Sequence, residues 1–279
     1  MDQLKKLQLK KTANNVRLGI IEAVYNAKCG HPGGSLSIAD ILTYLYFEEM
    51  NVDPENPKDN GRDRFVLSKG HTAPALYSVL AERGFFPKEE LKTLRKTESR
   101  LQGHPDMKGV PGVDMSTGSL GLGISAACGM ALSAKVSGDS YRVYTVLGDG
   151  ESEEGQVWEA AMFAAHYKLD NLVAIVDLNG LQIDGPITEV MNPMPHDEKL
   201  RAFGWHVITV DAHNFDDIEA AFNEARTVKG KPTAIIAKSV KGKGVSYMEN
   251  SCEWHGQAPK EDLYLVAVAD LKKIEEELK

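Results

Sequence analysis

RVYTVLGDG (142–150) and LVAIVDLNG (172–180) are two short, almost unbroken apolar runs, each ending on a glycine turn that carries one short polar side chain. Runs of this length and composition, without polar alternation, read as strands covered on both faces, the pattern of a parallel sheet. Residues 154–167 lie between them with helical length and composition. The same rhythm extends outward. Towards the C-terminus come a strand at 207–210, a helix at 215–228 and a strand at 233–238. Towards the N-terminus come an alanine-rich helix at 120–136, a helix at 72–83 and a short strand at 65–67. Leu4, Leu7, Val16, Ile20, Ile21 and Val24 fall near helical spacing in an opening helix at 4–27. A Gly/Pro loop from Cys29 to Gly34 interrupts it, and Ser35 or Ser37 can cap a second helix reaching Phe47. A charged helix occupies 261–279. The expectation is an α/β fold, a doubly wound, mainly parallel sheet with helices on both faces, as one domain over 1–279. Ligands of such sheets bind at the carboxyl ends of the strands, so the loops after Leu147, Val176 and Lys238 are where chemistry is expected.

An apolar content of 42% supplies a sizeable core for 279 residues. With 32 basic against 40 acidic side chains the formal charge is −8, which repels phosphate backbones and argues against nucleic acid as the main partner. No apolar run approaches the roughly 18 residues that span a bilayer, so no membrane role is expected. The opening MDQLKKLQLKK has lysines without an apolar stretch behind them and does not read as a signal peptide. Cys29, Cys128 and Cys252 are far apart, which speaks against a disulfide framework or a structural zinc. A cytoplasmic protein is the expectation.

Four features carry chemistry. Asp149 and Asn179, thirty residues apart, stand at the ends of two neighbouring strands. A carboxylate and an amide oxygen side by side suit a hard cation such as magnesium or calcium. Gly150 lets backbone approach a phosphate, and the helix that follows offers N–H groups to an anion. Metal plus diphosphate is the natural reading, against the plainer one of a tight turn and a cap. Four of the 8 histidines touch a glycine: His31, His71, His104 and His255. Imidazoles on such loops can project into a cavity, donate to hydroxyl and phosphate oxygens, and shuttle protons near neutral pH. His166, His196, His206 and His213 are read as surface or satisfied loop residues. Thr117 to Gly123 (TGSLGLG) opens a helix with glycines that admit a flat ring, although no strand leads into it as a nicotinamide site would require. KGKG (241–244) follows a strand and is either a solvated basic loop or a phosphate contact.

In order along the chain, GHPGGSLSIADIL (30–42), DRFVLSKGHTAPALYSVL (63–80), GHPDMKGVPGVDMSTGSLGLGIS (103–125), GDGESEEGQVWEAAMFA (148–164), DLNGLQIDG (177–185) and KGKGVSYMENSCEWHG (241–256) resemble the N-terminal part of transketolase. The resemblance covers almost the whole chain and implies the domain that holds the diphosphate end of thiamine diphosphate. Carried over position by position, it implies that Asp149, Asn179 and the carbonyl of Leu181 bind Mg²⁺, with Ca²⁺ or Mn²⁺ able to substitute. It implies diphosphate contacts from Gly150, His71, Lys241 and His255. Ile183 and the turn Gly118-Ser119-Leu120-Gly121 would support the thiazolium and aminopyrimidine rings. His31, His71, His104 and His255 would face the reacting carbons of a donor sugar, His31 and His255 near the 3-hydroxyl and His104 near the 1-hydroxyl. Glu154 resembles a glutamate at a subunit interface that links paired sites.

Transketolases usually continue into an aminopyrimidine-binding domain and a third domain, and the activating glutamate lies in that second domain. The expected partner is therefore a C-terminal transketolase subunit carrying that domain and glutamate, in a dimer of heterodimers acting on sugar phosphates. An exposed apolar patch around Leu120 and Trp158 is expected where the missing half would sit. The implied activity is transfer of a two-carbon ketol unit from a ketose to an aldose. The alternatives are another thiamine diphosphate enzyme subunit, such as a 2-oxo-acid dehydrogenase α-subunit or a deoxyxylulose-phosphate synthase-like protein, and a non-catalytic cofactor-binding module. The four glycine-flanked histidines favour hydroxyl-rich ketoses over 2-oxo acids.

Overall fold

The computed structural model describes residues 1–279. Five parallel strands, β1 (Arg64–Leu67), β2 (Val143–Gly148), β3 (Leu172–Leu178), β4 (His206–Asp211) and β5 (Thr233–Lys238), form one sheet in the order β1-β2-β3-β5-β4. The helices are α1 (Gln3–Ala27), α2 (Pro32–Leu36), α3 (Ala39–Tyr44), α4 (Ala73–Arg83), α5 (Leu122–Ser137), α6 (Gly155–His166), α7 (Ile187–Val190), α8 (His196–Ala202), α9 (Phe215–Thr227) and α10 (Glu261–Glu277). No helix is long and apolar enough to cross a membrane.

The unbroken apolar strands do bury both faces. Along β2, Tyr144 and Val146 enter a core shared with α1, α3, α4 and α9, while Val143 and Leu147 enter the opposite core against α5, α6 and α8. Alternate side chains of β3 divide in the same way, Val173 and Ile175 to one side and Leu172, Ala174 and Val176 to the other. This two-sided burial is the physical content of a doubly wound sheet.

The N-terminal region departs from expectation in one respect. The second helix begins at Pro32, inside the segment read as loop, because proline's fixed φ and missing N–H suit the first helical position. It then breaks at Ser37, resumes as α3 and ends in a π-type turn over Leu45–Glu49. That short α2 stays near the carboxyl edge of the sheet: the Gly33 carbonyl accepts from Gly242 N–H at 2.9 Å.

Candidate active site

In-register pairing of Gly148 with Asp177 places the loops after β2 and β3 side by side. Asp149 is only 3% exposed. Its Oδ1 accepts from Gly150 N–H at 2.8 Å and its Oδ2 from Gly180 N–H at 2.6 Å. Burial, and then the neighbouring Asp177 charge, push its carboxyl up to about 6. Asn179 donates from Nδ2 to Asp177 Oδ2 at 3.0 Å, which orients its Oδ1, the acceptor of Leu181 N–H at 3.1 Å. The Leu181 carbonyl accepts from Lys241 Nζ at 3.1 Å, so a cation already faces that oxygen. Carboxylate, amide oxygen and carbonyl oxygen form a hard donor set. No group of three or more His, Cys, Asp or Glu side chains is arranged to hold a metal. A magnesium ion held here would therefore complete its shell with non-protein oxygens such as those of phosphates, its usual mode of binding. The residues present fit that arrangement.

Beneath this corner lies a buried cation that the sequence reading missed. Lys69, in the loop after β1, is 2% exposed and donates to the Gly34 carbonyl at 2.8 Å and to Asp177 Oδ2 at 2.5 Å. Ser37 donates to the same Asp177 oxygen at 2.7 Å, and Ser239, in the loop after β5, donates to Oδ1. Asp177 thus joins the loops carrying His31, His71, Asn179 and Lys241.

Three of the four glycine-flanked histidines converge. The ring centroids are 5.1 Å apart for His31 and His71, 5.4 Å for His31 and His255, and 5.2 Å for His71 and His255. They line a cavity of about 240 Å³ together with Gly118, Leu120, Asp149, Gly150, Leu181 and Ile183. Desolvation is the main reason their imidazoles resist protonation. It brings His31 down to about 4 and His255 to about 3, and it carries His71 well below its ordinary range, with Lys241 adding to each effect. Lys241 Nζ lies 3.1 Å from His255 Nδ1, and His31 Nδ1 is buried with no partner. His104 stands apart from the three, exposed, its ring against Gly118. Lys243 points away from the cavity and pairs with Glu249 at 3.3 Å.

The remaining histidines divide. His206 pairs with Glu224, and His213 pairs with Asp40 while accepting from Val240 N–H. His196 is buried behind the metal corner, with Nε2 2.8 Å from Ser152 Oγ and 3.3 Å from the Asp149 carbonyl. It therefore braces the Asp149 loop from behind.

The turn at 118–121 is built by glycine. Gly121 has φ +81°, a left-handed conformation that side chains disfavour, and a Cβ there would meet Glu154 Cβ at 2.8 Å. Gly70 lets the turn approach, since a Cβ on it would meet Thr117 Oγ1 at 2.6 Å. Ser119 and Leu120 are exposed at the cavity mouth, and Ile183 is 62% exposed. Glu154 is exposed at the N-cap of α6 and outside the cavity lining, while Glu151, which spacing did not single out, is buried and lines it. The expected apolar patch needs one correction. Trp158 is not part of it, because its Nε1–H donates to the Ser152 carbonyl at 2.8 Å and its ring stacks on Phe203. The exposed apolar side chains of the following helices are instead Leu122, 51% exposed on α5, and Met162, 59% exposed on α6.

Comparison with known proteins identifies the family. Residues 8–273 match the family model described as transketolase, thiamine diphosphate binding domain. The chain is 47% identical over 268 residues to the 6-deoxy-6-sulfo-D-fructose transketolase subunit SqwG of Clostridium sp. (strain MSTE9), covering 96% of this chain and 97% of that one. It is 44% identical over 276 residues to an apulose-4-phosphate transketolase subunit of Phocaeicola vulgatus, covering 99% and 97%. With the transketolase of Homo sapiens it shares 48% identity over 257 residues, which is 92% of this chain but 41% of the human one. The crystal structure of the Campylobacter jejuni transketolase superposes with a TM-score of 0.90 at 32% identity, covering 98% of this chain and 43% of that one. The chain belongs to the transketolase family, matching its thiamine diphosphate binding domain over almost its whole length.

Proposed function

We propose that this chain holds Mg²⁺ and the diphosphate of thiamine diphosphate, and that with a C-terminal partner subunit it transfers a two-carbon ketol unit from a ketose to an aldose. The carrying observation is the convergence of Asp149, Leu181 and three half-buried imidazoles in one cavity, with Lys241 bonded to Leu181 and His255 at its edge and Asn179 bonded to Leu181 beside it. Asp149, Asn179 and the Leu181 carbonyl would hold the metal, and Lys241, Gly150 and His71 the diphosphate oxygens. The bound cofactor supplies the electron sink for breaking and making a carbon–carbon bond beside a carbonyl.

The histidines handle protons. A lysine ammonium only donates, so Lys241 on Nδ1 of His255 puts that ring's proton on Nε2, where it can donate to a substrate oxygen. His31, held neutral at pH 7 and lining the cavity, would accept the proton of the 3-hydroxyl. His104, further out and more exposed, suits the 1-hydroxyl. Two relatives are named for sugars bearing a sulfo or a phosphate group, which supports a ketose with an anionic end as substrate.

The exposed Leu122, Met162 and Ile183 are the surface proposed to meet the partner, which would bring the aminopyrimidine-binding domain and the activating glutamate in a dimer of heterodimers. Glu154, exposed at the start of α6, would join that contact. Three imidazoles in the cavity favour hydroxyl-bearing substrates over 2-oxo acids. The test is co-expression with a candidate C-terminal subunit, followed by assay of ketol transfer between a ketose phosphate and an aldose phosphate. Calorimetry should show Mg²⁺-dependent thiamine diphosphate binding that Asp149→Ala abolishes. Unchanged affinity in that variant rejects the metal assignment, and pyruvate consumption without ketol transfer rejects the activity.

A further inference from the structure

Glu151 begins an acidic run, Glu151-Ser152-Glu153-Glu154, whose surface-like composition hides an inward-facing member. A 3-10 turn over Gly150–Glu153 rolls Glu151 under the loop after β2, where it is buried and lines the cavity. Both its oxygens are used. Oε1 accepts from Ser68 Oγ at 2.6 Å and from Gly121 N–H at 2.9 Å. Oε2 accepts from Gly148 N–H at 3.0 Å. The two backbone donors belong to different loops. Gly121 closes the turn proposed to carry the cofactor rings, and Gly148 opens the loop proposed to carry the diphosphate. Ser68 adds a third loop, and the missing side chain of Gly123 lets it approach, since a Cβ there would meet Ser68 Cα at 2.5 Å.

We infer that Glu151 is a positioning residue that sets the spacing between the ring-supporting turn and the diphosphate loop, so that its loss weakens binding of the whole cofactor while sparing binding of diphosphate alone. The inference rests on the thiamine diphosphate reading above. Its chemical basis is acceptor count. Three donors from three loops converge on one side chain, and a carboxylate offers two acceptor oxygens with room for all of them. A glutamine at 151 keeps the shape but offers one acceptor oxygen and turns an NH₂ towards either Gly121 N–H or Gly148 N–H. One of the two loops is thereby released. Lys69 and Asp177, Asn179 and Gly150 still organise the diphosphate side, because none of their bonds passes through Glu151.

The test is calorimetry of the full chain with Mg²⁺ and two separate probes, thiamine diphosphate and inorganic diphosphate. In Glu151→Gln the thiamine diphosphate affinity should fall about 10- to 100-fold, the loss of one charge-assisted hydrogen bond, while inorganic diphosphate affinity stays within about threefold. Ser68→Ala removes one donor and keeps the carboxylate. It should move the same ratio in the same direction by a smaller factor, and it serves as the readout if Glu151→Gln does not fold. Proportional loss of both affinities in a folded variant means that Glu151 merely supports the fold, and this overturns the inference. So does an unchanged ratio in both variants. A wild-type complex with the partner subunit that binds inorganic diphosphate but not thiamine diphosphate overturns the cofactor reading itself, an outcome recognisable before any variant is made.

Discussion

Replacing Lys69 by methionine isolates the buried cation on which the site is built. Methionine keeps most of the aliphatic stem and removes the ammonium, leaving Asp177, 1% exposed, with only the neutral donors Ser37, Asn179 and Ser239. Breaking a buried ion pair by removing one partner destabilises by about 3–5 kcal/mol, because the remaining charge stays desolvated. With a urea slope of about 3 kcal/mol per molar, the unfolding midpoint should drop by about 1–1.7 M. The pH dependence separates this cause from a packing defect. In the wild type, burial pushes the Asp177 carboxyl up, but Lys69 and the hydroxyl donors carry it below its ordinary value. Its stabilisation is therefore present above the unfolded value near 3.8 and lost only as pH falls through the lower folded value. Without Lys69 burial prevails and the carboxyl protonates more readily in the folded chain than in the unfolded one. The stability gap between variant and wild type should then narrow as pH is lowered from 8 towards 5, and Lys69→Met/Asp177→Asn should recover part of the loss. A penalty below about 1 kcal/mol, or one constant from pH 8 to 5, would refute the reasoning.

Three further outcomes follow from the same geometry. In the reconstituted enzyme, His255→Ala should lower turnover by about 10²–10⁴-fold, in steady-state kinetics, while shifting cofactor affinity by less than about tenfold in calorimetry. Asp40 is buried and accepts from both Arg17 and His213, so Asp40→Asn should cost about 3 kcal/mol in urea denaturation by stranding the Arg17 charge. Met162→Glu should leave the melting temperature of the lone chain within a few degrees, since the side chain is 59% exposed, yet abolish co-purification with the partner subunit.

The sheet was legible because strands buried on both faces must be apolar throughout, and β2 and β3 are. Strand ends then located Asp149, Asn179 and Lys241 without further information, since a parallel sheet gathers its carboxyl-end loops on one edge. The hidden residues are those whose composition contradicts their placement. Lys69 lies in a Ser-Lys-Gly-His loop that reads as solvated, and only the fold brings Asp177 to it. Glu151, Glu153 and Glu154 are near-identical in sequence, but the 3-10 turn sends Glu151 inward, Glu153 to Gln182 at 3.1 Å, and Glu154 to the surface. His196 looked bland because its partners, Ser152 and the Asp149 backbone, are 44 and 47 residues away. Trp158 was misplaced for a related reason: its stacking partner, Phe203, arrives only after α8.

Positive charge gathers around the three cavity imidazoles. His31 and His255 are held low first by desolvation and then by positive neighbours, among them Lys241 for both, Arg95 for His31 and Lys69 for His255. A cavity that repels protons from three bases is electropositive and desolvated, and a diphosphate entering it supplies the opposite charge within hydrogen-bond reach. The His31 titration, near 4 in the free chain, should therefore move upward when inorganic diphosphate and Mg²⁺ are bound. Bulk stability will not resolve this. The depressed histidines stabilise the fold above 6.5 and lose that contribution as pH falls towards about 4, whereas Asp149, raised to about 6, stabilises it over much of the same interval as pH falls. The measurement is site-resolved: proton–carbon correlation spectra of the histidine rings from pH 8 to 4, with and without diphosphate. Upward displacement of the His31 midpoint is the expected result. No displacement of the His31 midpoint would mean that the anion binds elsewhere and that the positive charge gathered around these imidazoles serves only the fold.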